Sequence, residues 1–243
     1  MNLHLHCIAL RSVPVSDSRT LVSAWSRELG RVTFGFPAGS GREARRRRAL
    51  ASPMALFEGR SEAKPGSDIL PLRDFSPTPG SPALAAPDIA RTMLCSFLAE
   101  VLDRLLQRTA PDAHLSDYLF ASAAALSALP RGAASANFHI VFLYGLARMA
   151  GIAPDLSGYV PGAVFDMRDG VFRRSAPLHS DYLDADASSF LTVLARVNFN
   201  NMHRLHLSRA ERRDILSAML DYYSIHLGNL GNLRTLGVLH ELE

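Results

Sequence analysis

The sequence contains very little cysteine or lysine, and it lacks a long apolar run. Its 243 residues include two cysteines, Cys7 and Cys95, which are far apart in the chain. This number and spacing exclude a disulfide framework and a Cys-x-x-Cys metal site. The most apolar later stretch, residues 140–147, is much shorter than the ~20 residues that a membrane-spanning helix needs. No membrane partner is therefore expected.

A secretory signal peptide is also not expected. No lysine or arginine precedes Arg11, and His4 and His6 interrupt the first apolar run. Cys7 and Cys95 lie in segments with the patterns of a strand and a helix, so each is expected to be a small buried hydrophobic residue. These features predict a protein of the reducing cytoplasm.

Positive charge comes almost entirely from arginine, because Lys64 is the one lysine among 26 basic residues. A high-G+C genome would favour arginine without any functional reason. The distribution is more informative. Residues 1–82 carry twelve basic and seven acidic side chains, whereas residues 83–243 carry fourteen and sixteen. The net charge of +3 therefore arises in the first third of the chain, which indicates an anionic partner there.

The first 75 residues have the pattern of short strands separated by turns. Apolar residues alternate with His4 and His6, and further strand-like runs cover residues 20–25 and 31–36. A hairpin from 54–58 to 69–73 is expected to turn at Pro65 and Gly66. Five short strands predict a small barrel of the OB-fold type, although an SH3-like barrel fits the spacing nearly as well.

After residue 75 the pattern becomes helical. Three prolines within residues 76–82 predict a stiff linker. Helices are then predicted from Asp88 for about twenty residues, and over 115–129, 138–151, 187–198, 208–227 and 233–242, with a hairpin at 164–172. Ser135 is expected to cap the third helix, and Ser208 with Glu211 should form a capping box. The predicted fold is α+β, with an OB-fold domain over 1–82 and an all-helical domain over 83–243.

The arginines of residues 42–48, which are expected on a loop of the barrel, are the clearest functional signal. Four of them are consecutive, and burying unpaired arginines would cost several kcal/mol, so most should face water and could bind phosphates. A solvated, solubilising run is the alternative. The candidate DNA-binding residues are Arg42, Arg45, Arg46, Arg47 and Arg48, with Arg11, Arg31 and Arg60 on neighbouring strands or turns and Phe34, Trp25 or Phe36 as a base-stacking aromatic.

Signals for catalysis or metal binding are weak. His203 and His206 could reach one metal ion, but no third ligand is nearby. The acidic loop over 179–186 could hold a divalent cation, as in a metal-dependent nuclease that would depend on Asp184. A solvated loop in which Asp186 or Ser188 caps the next helix fits better. Since nucleophile and phosphate-loop motifs are also absent, neither an enzyme nor a metal or other cofactor is expected.

Several segments, in the same order along nearly the whole chain, resemble RecO, a family of bacterial recombination mediators. The matching segments are Ala9-Leu-Arg to Ser16-Asp-Ser, Glu28-Leu-Gly-Arg-Val32, the basic stretch, Pro53 to Glu58, Phe97 to Leu106, Asn137-Phe-His139 with Ala147-Arg148, Gly151 to Leu156, Phe165 to Phe172, and Leu220 to His226. No single segment is diagnostic, but the order makes the resemblance fairly specific.

This resemblance implies an N-terminal OB-fold, binding of single- and double-stranded DNA, and a nucleoid-associated role. It also implies loading of RecA, with RecR, on single strands coated by single-strand-binding protein, and annealing of complementary strands. The acidic tail of single-strand-binding protein would occupy an apolar groove of the helical domain flanked by arginine, with Arg104, Phe142 and Arg148 as candidates by helix position.

One departure from the family pattern concerns zinc. Many relatives carry a four-cysteine zinc module in the helical domain, but residues 152–187 of this chain contain no cysteine. The sequence is therefore similar to a zinc-free branch of the family. A barrel that binds structured RNA, with the helices as a scaffold, is the main alternative to the DNA-binding function.

Overall fold

The computed structural model describes residues 2–37, 39–62, 68–130, 136–228 and 230–242. Its contacts divide the chain into two compact units, one formed by Met1–Ser135 with Leu233–Leu242 and the other by Ala136–Asn232. This division differs from the predicted boundary at 82/83. The two predicted domains, 1–82 and 83–243, stay a prediction. Within the described ranges, no helix combines the length and the apolar character needed to cross a membrane.

The first unit is built on a five-stranded antiparallel sheet with the order β3-β2-β1-β4-β5. The strands are β1 Asn2–Ser16, β2 Arg19–Ser26, β3 Gly30–Pro37, β4 Leu56–Glu62 and β5 Arg73–Pro77. The sheet is not closed by a continuous ladder. Instead, a parallel bridge joins Phe34 of β3 to Leu70, and the Leu70 amide donates to the carbonyl of Thr33 at 2.8 Å. The predicted α+β class with an OB-like N-terminal sheet is confirmed.

The inner face of this sheet buries the apolar positions that alternate along β1. Leu5, Cys7 and Ala9 are fully buried, and Phe34 and Phe57 meet edge-on above them. Burial raises the pKa of the Cys7 thiol well above its usual range, with a contribution from the nearby Glu28 carboxylate. Cys95 is buried as well, and burial raises its pKa to about 12. Both cysteines are therefore the inert core residues that the sequence predicts.

Two predictions for the first unit are corrected. The arginine-rich segment is a helix, α1 Arg42–Leu50, not a loop. The proline-rich stretch is not a free linker, since Pro77 ends β5 opposite Phe57 and Thr78 donates to the carbonyl of Leu56. Pro77 fits there because β5 is an edge strand, where a missing N–H costs little. Pro65 and Gly66, the predicted hairpin turn, lie outside the described residues.

Three further helices belong to the first unit: α2 Ile89–Leu105, α3 Ala113–Ala128 and α7 Arg234–Leu242. Asp88 and Asp112 cap the first two by accepting hydrogen bonds from the backbone amides three residues later. The indole of Trp25 on β2 donates to Ser116 of α3 at 3.0 Å. The last bond ties α3 to the sheet of the same unit.

The second unit contains α4 Phe138–Met149, α5 Ala185–Leu194, α6 Arg209–Leu227 and a small sheet. That sheet has the order β7-β6-β8, with β6 Val164–Asp166, β7 Val171–Arg173 and β8 Tyr182–Leu183. The predicted hairpin and the capping box of Ser208 and Glu211 are confirmed. Ser135 lies outside the described residues, and Asp184, not Asp186 or Ser188, caps α5.

Candidate nucleic-acid interface

Helix α1 carries the arginines in two groups: an outward group of Arg42, Arg45 and Arg46, and a groove group of Arg47 and Arg48. Successive side chains on a helix are about 100° apart, so four consecutive arginines surround most of the helix. Ala44 and Leu50 are buried against the sheet, which turns the remaining positions outward. The exposed arginines are Arg42, Arg45, Arg46 and Arg48, and Arg47 is half-buried. They therefore cannot all face one ligand on one side of the helix.

A groove of about 450 Å³ runs beside α1. One wall is the helix stripe formed by Ala44, Arg47, Arg48 and Ala51, and the other comes from the β1–β2 hairpin and the end of β3. The Arg47 guanidinium is 3.6 Å from Glu43, and Arg48 donates to the carbonyl of Gly39 at 3.1 Å. The groove therefore presents two arginines, one near a glutamate of the same helix and one bonded to a backbone carbonyl.

Arg45 and Arg46 belong to the outward group. Arg46 donates to the carbonyl of Phe75 at 3.4 Å, a long and weak bond, and both side chains are exposed. Exposed guanidinium groups keep most of their donors available to phosphate oxygens. Arg45 and Arg46 therefore face water, as expected, although they lie on a helix, and their binding of phosphates stays a prediction.

The strand arginines do not form one surface with α1. Arg11 is exposed on β1, but side chains alternate along a strand, so it faces away from its neighbour Ser12, which lines the groove. Arg60 lies on β4 opposite His4. Arg31 lies near the start of β3, roughly 20 Å from the end of that strand at ~3.3 Å per residue, and it is ion-paired with Asp103 at 2.6 Å. None of the three lines the groove.

The predicted base-stacking aromatic is wrong for Phe34, which is buried in the sheet core at 0% exposure. Trp25 is equally buried, and Phe36 is 3% exposed and stacked on Phe75 at 5.3 Å. One of these rings was expected to stack on a base, but alternation places Phe34 and Phe36 in the sheet core, and Trp25, on the other face, is buried against α3. Phe36 lines the groove, so it contributes an apolar wall there without a free face.

The sequence did not single out Arg19, which the structure places near the same end of the sheet. It is exposed on β2 opposite Pro37, and its guanidinium occupies the space beside Gly35 of β3. A methyl group on Gly35 would lie only 2.6 Å from the Arg19 Nη2 atom, so the flexible end of the Arg19 side chain would have to move to admit it. No local sequence signal pairs the two residues.

The predicted partner-binding residues have different environments. Arg104 is ion-paired with Glu100 on α2 at 2.7 Å and belongs to the first unit. Phe142 is fully buried in α4, so its predicted contact with a partner is wrong. Arg148 is exposed in the last turn of α4 and lies close enough to Tyr144 to influence the pKa of that phenol, which burial raises. Of the three, Arg148 is available to a partner.

The second unit has an apolar groove of about 580 Å³ between α4, α5, α6 and the small sheet. Its floor includes Tyr144, Phe165, Leu191 and Tyr222. The charged residues that line it are carboxylates: Asp184, Asp186, Glu211 and Asp214. An apolar groove is therefore present, but its own lining is acidic and not the predicted arginine rim.

The acidic loop over 179–186 does not assemble a metal site from its described side chains. Asp181 is ion-paired with Arg168 at 2.7 Å, His179 is 3.4 Å from Asp166, and Asp184 caps α5. Since His179, Asp181 and Asp184 each have a local partner, this geometry does not support the nuclease alternative. His203 and His206 are both exposed, and no group of three metal ligands includes them within the described ranges.

Comparison with known proteins places these units in a family. The family model for the C-terminal part of recombination protein O matches residues 86–235. A DNA repair protein RecO from Porphyromonas gingivalis strain W83 is 33% identical over 239 residues, covering 97% of this chain and 96% of its own length.

Two other relatives carry the same name. RecO of Phocaeicola vulgatus is 31% identical over 236 residues, with 97% of this chain and 96% of its own length covered. RecO of Christiangramia forsetii is 23% identical over 244 residues and matches the whole chain. With a family model covering more than half of its length and relatives aligned over nearly all of it, the chain belongs to the RecO family.

Proposed function

We propose that this protein binds DNA through α1 and its groove and acts as a recombination mediator in DNA repair. The observation that carries the proposal is an arginine-rich helix on an OB-like sheet in a chain whose relatives are named DNA repair protein RecO. OB-like folds commonly bind single strands with a basic groove that follows the backbone. The family assignment supports a binding protein and not an enzyme.

The binding energy would come mainly from phosphate contacts. Arg42, Arg45 and Arg46 offer exposed guanidinium forks, while Arg47 and Arg48 line the groove. Because Trp25 and Phe34 are buried, base stacking contributes little, and we expect weak sequence preference. Arg11 and Arg19 face the other side of the sheet, so they would not extend this surface, and Arg31 would not contribute since Asp103 neutralises it.

The direct test compares two pairs of substitutions in the full chain. Arg45→Gln with Arg46→Gln removes two exposed charges of α1, and Arg209→Gln with Arg213→Gln removes two exposed charges of α6 as a matched control. We expect the first pair to weaken binding to single-stranded DNA at least tenfold and the second to change it less than twofold. Equal losses in both would show that only net charge matters, which contradicts the proposed site.

The groove is tested separately with Arg47→Gln and Arg48→Gln. If the strand enters the groove, this pair should weaken binding as much as the outward pair does. The same measurements with duplex DNA and structured RNA at one salt concentration distinguish the proposed ligand. Tighter binding to structured RNA than to either DNA form would overturn the DNA assignment in favour of an RNA-binding module.

We further propose that the protein, with RecR, loads RecA on strands coated by single-strand-binding protein and anneals complementary strands. This finer role follows from the family and from an arginine helix able to hold one strand by its backbone. Annealing of complementary strands coated with single-strand-binding protein is the informative assay. Loss of annealing in the Arg45/Arg46 variant, with the α6 control active, is the expected result.

For the acidic tail of single-strand-binding protein, we propose a contact at Arg148. It is the exposed residue among the three predicted, and it follows Ala147, which lines the apolar groove of the second unit. A peptide of the tail should bind the full chain, and Arg148→Ala should weaken it about tenfold. Unchanged binding in that variant, with tighter binding after Asp214→Asn, would place the tail in the groove without Arg148.

A further inference from the structure

Three side chains with metal-binding atoms converge on the outer face of the five-stranded sheet. His4 and His6 share a face of β1 because they are two residues apart, and Glu58 on β4 lies directly opposite His6. Nε2 of His4 is 3.3 Å and Nε2 of His6 is 3.9 Å from the same atom, Oε2 of Glu58. Within the described ranges, this is the group of three such residues whose ligand atoms all lie within 4.8 Å.

Neighbouring groups orient two of these side chains. Nδ1 of His6 is 2.7 Å from Oε1 of Glu28. A carboxylate oxygen accepts this bond from Nδ1–H, and in this tautomer Nε2 is the ring nitrogen that turns a lone pair towards Glu58. The Ser76 hydroxyl donates to Oε1 of Glu58 at 3.3 Å, which leaves Oε2 for another partner.

The orienting carboxylate is itself held in place. Glu28 Oε2 accepts hydrogen bonds from the His6 amide at 3.0 Å and from the Ser26 hydroxyl at 2.8 Å. A carboxylate that fixes a histidine in this way is a recurrent support of metal ligands.

The distances suit a metal ion. Zinc bonds of ~2.0–2.1 Å at tetrahedral angles place ligand atoms roughly 3.3 Å apart, so the observed 3.3 Å needs no change and 3.9 Å needs a small side-chain rotation. We propose that His4, His6 and Glu58 form a binding site for a divalent transition-metal ion, with Zn²⁺ as its simplest ligand and water in the remaining position.

The ligand set also indicates which ions can bind. Two imidazoles and one carboxylate favour Zn²⁺, Co²⁺, Ni²⁺ or Cu²⁺ over Mg²⁺ and Ca²⁺, which prefer oxygen ligands. The three side chains are 39–51% exposed, so an ion can reach them from water. The site joins β1 to β4 and uses no residue of α1 or of 152–187. The proposal therefore stands independently of the DNA-binding site and of the zinc module of some relatives.

The test is a titration of the chelator-treated full chain with ZnCl₂, followed by calorimetry and thermal melting. We expect one ion per chain, a raised melting temperature, and no response to MgCl₂. Because both His4 and His6 are half-exposed, His4→Gln and His6→Gln should fold normally and weaken zinc binding at least tenfold. His203→Gln with His206→Gln is the matched control and should leave zinc binding unchanged.

Glu28→Gln distinguishes a metal site from a simple histidine–carboxylate pair. This residue touches no ion, yet its loss should weaken zinc binding by about tenfold or more because His6 is no longer oriented. Zinc binding of unchanged affinity and stoichiometry in the His4 and His6 variants, or no binding by the parent chain, would overturn the proposal.

Discussion

At the scale of single residues, the most informative arginine is one that does not face water. Arg91 is 9% exposed, and its guanidinium donates to the carbonyls of Leu126, Ala86 and Leu129. Two of these carbonyls belong to the end of α3, where helical acceptors lack partners within the helix. Arg91 therefore closes α3 and joins it to α2. No local sequence signal separates this arginine from the functional ones.

Replacing Arg91 by alanine should destabilise the first unit by about 3 kcal/mol, because three carbonyls lose a charged donor in a buried place. Urea unfolding followed by the fluorescence of Trp25, the one tryptophan of the chain, measures this directly. Arg108→Ala is the matched control, since Arg108 is exposed beyond the end of α2. A loss below 0.5 kcal/mol in the Arg91 variant would contradict this account.

At the scale of elements, the small hairpin of the second unit depends on one buried carboxylate. Asp166 is 2% exposed and accepts hydrogen bonds from the amides of Arg168 and Asp169 and from the Arg173 side chain at 2.6 Å. Burial alone would raise the pKa of Asp166, but Arg173, the two amides and His179 together lower it below its usual 3.8. The turn is thus fixed by hydrogen bonds to a charged side chain.

Because the pKa of Asp166 is lower in the folded state, its stabilising contribution is complete above the usual value of 3.8 and is lost as the pH falls through the folded-state value. Asp166→Asn should cost about 2–3 kcal/mol at neutral pH and flatten the decrease in melting temperature below pH 4. Circular dichroism melting between pH 3 and 7 checks both.

Asp169→Asn is the control for that prediction. Asp169 also pairs with Arg173, but it is 58% exposed, so its loss should change stability by no more than about 0.5 kcal/mol. Equal effects of the two substitutions would show that the ion pair with Arg173, and not the buried amide acceptor, holds the hairpin.

At the scale of the whole molecule, charge is divided along the chain. The excess of basic side chains lies in residues 1–82, while the apolar groove of the second unit is lined by four carboxylates. A polyanion is therefore attracted mainly to the first unit. This distribution predicts how strongly DNA binding depends on salt and which substitutions change that dependence.

The logarithm of the affinity for single-stranded DNA should fall linearly with the logarithm of salt concentration, by about 0.7 for each phosphate contact. Substituting Arg45 and Arg46 by glutamine should flatten this slope by roughly 1.4, whereas the Arg209 and Arg213 control should leave it unchanged. Fluorescence anisotropy at five salt concentrations gives both slopes. An unchanged slope in a folded α1 variant would mean that these arginines are only a solvated face.

Local patterns determined much of the fold. Alternation predicted the first three strands, because a strand with one buried face repeats every two residues. The 3.6-residue period and the caps predicted the helices, and the capping box of Ser208 and Glu211 was recognisable because it is completed within four residues. The Asp169-Gly170 pair predicted the hairpin, because glycine readily adopts the left-handed backbone of this turn, where φ of Gly170 is +70°. The family resemblance likewise came from sequence order.

Tertiary structure decided which of these residues can act. Phe34 is in the core and not on a DNA surface, and Arg31 is neutralised by Asp103, which is 72 residues away in the chain. Likewise, Glu58 meets His6 only because β4 pairs with β1, and Glu28 reaches the same ring from the β2–β3 turn. Such contacts depend on pairing between distant segments, which no local period or composition encodes. The sequence thus predicted the elements, whereas long-range packing determined which charges stay free and which become partners.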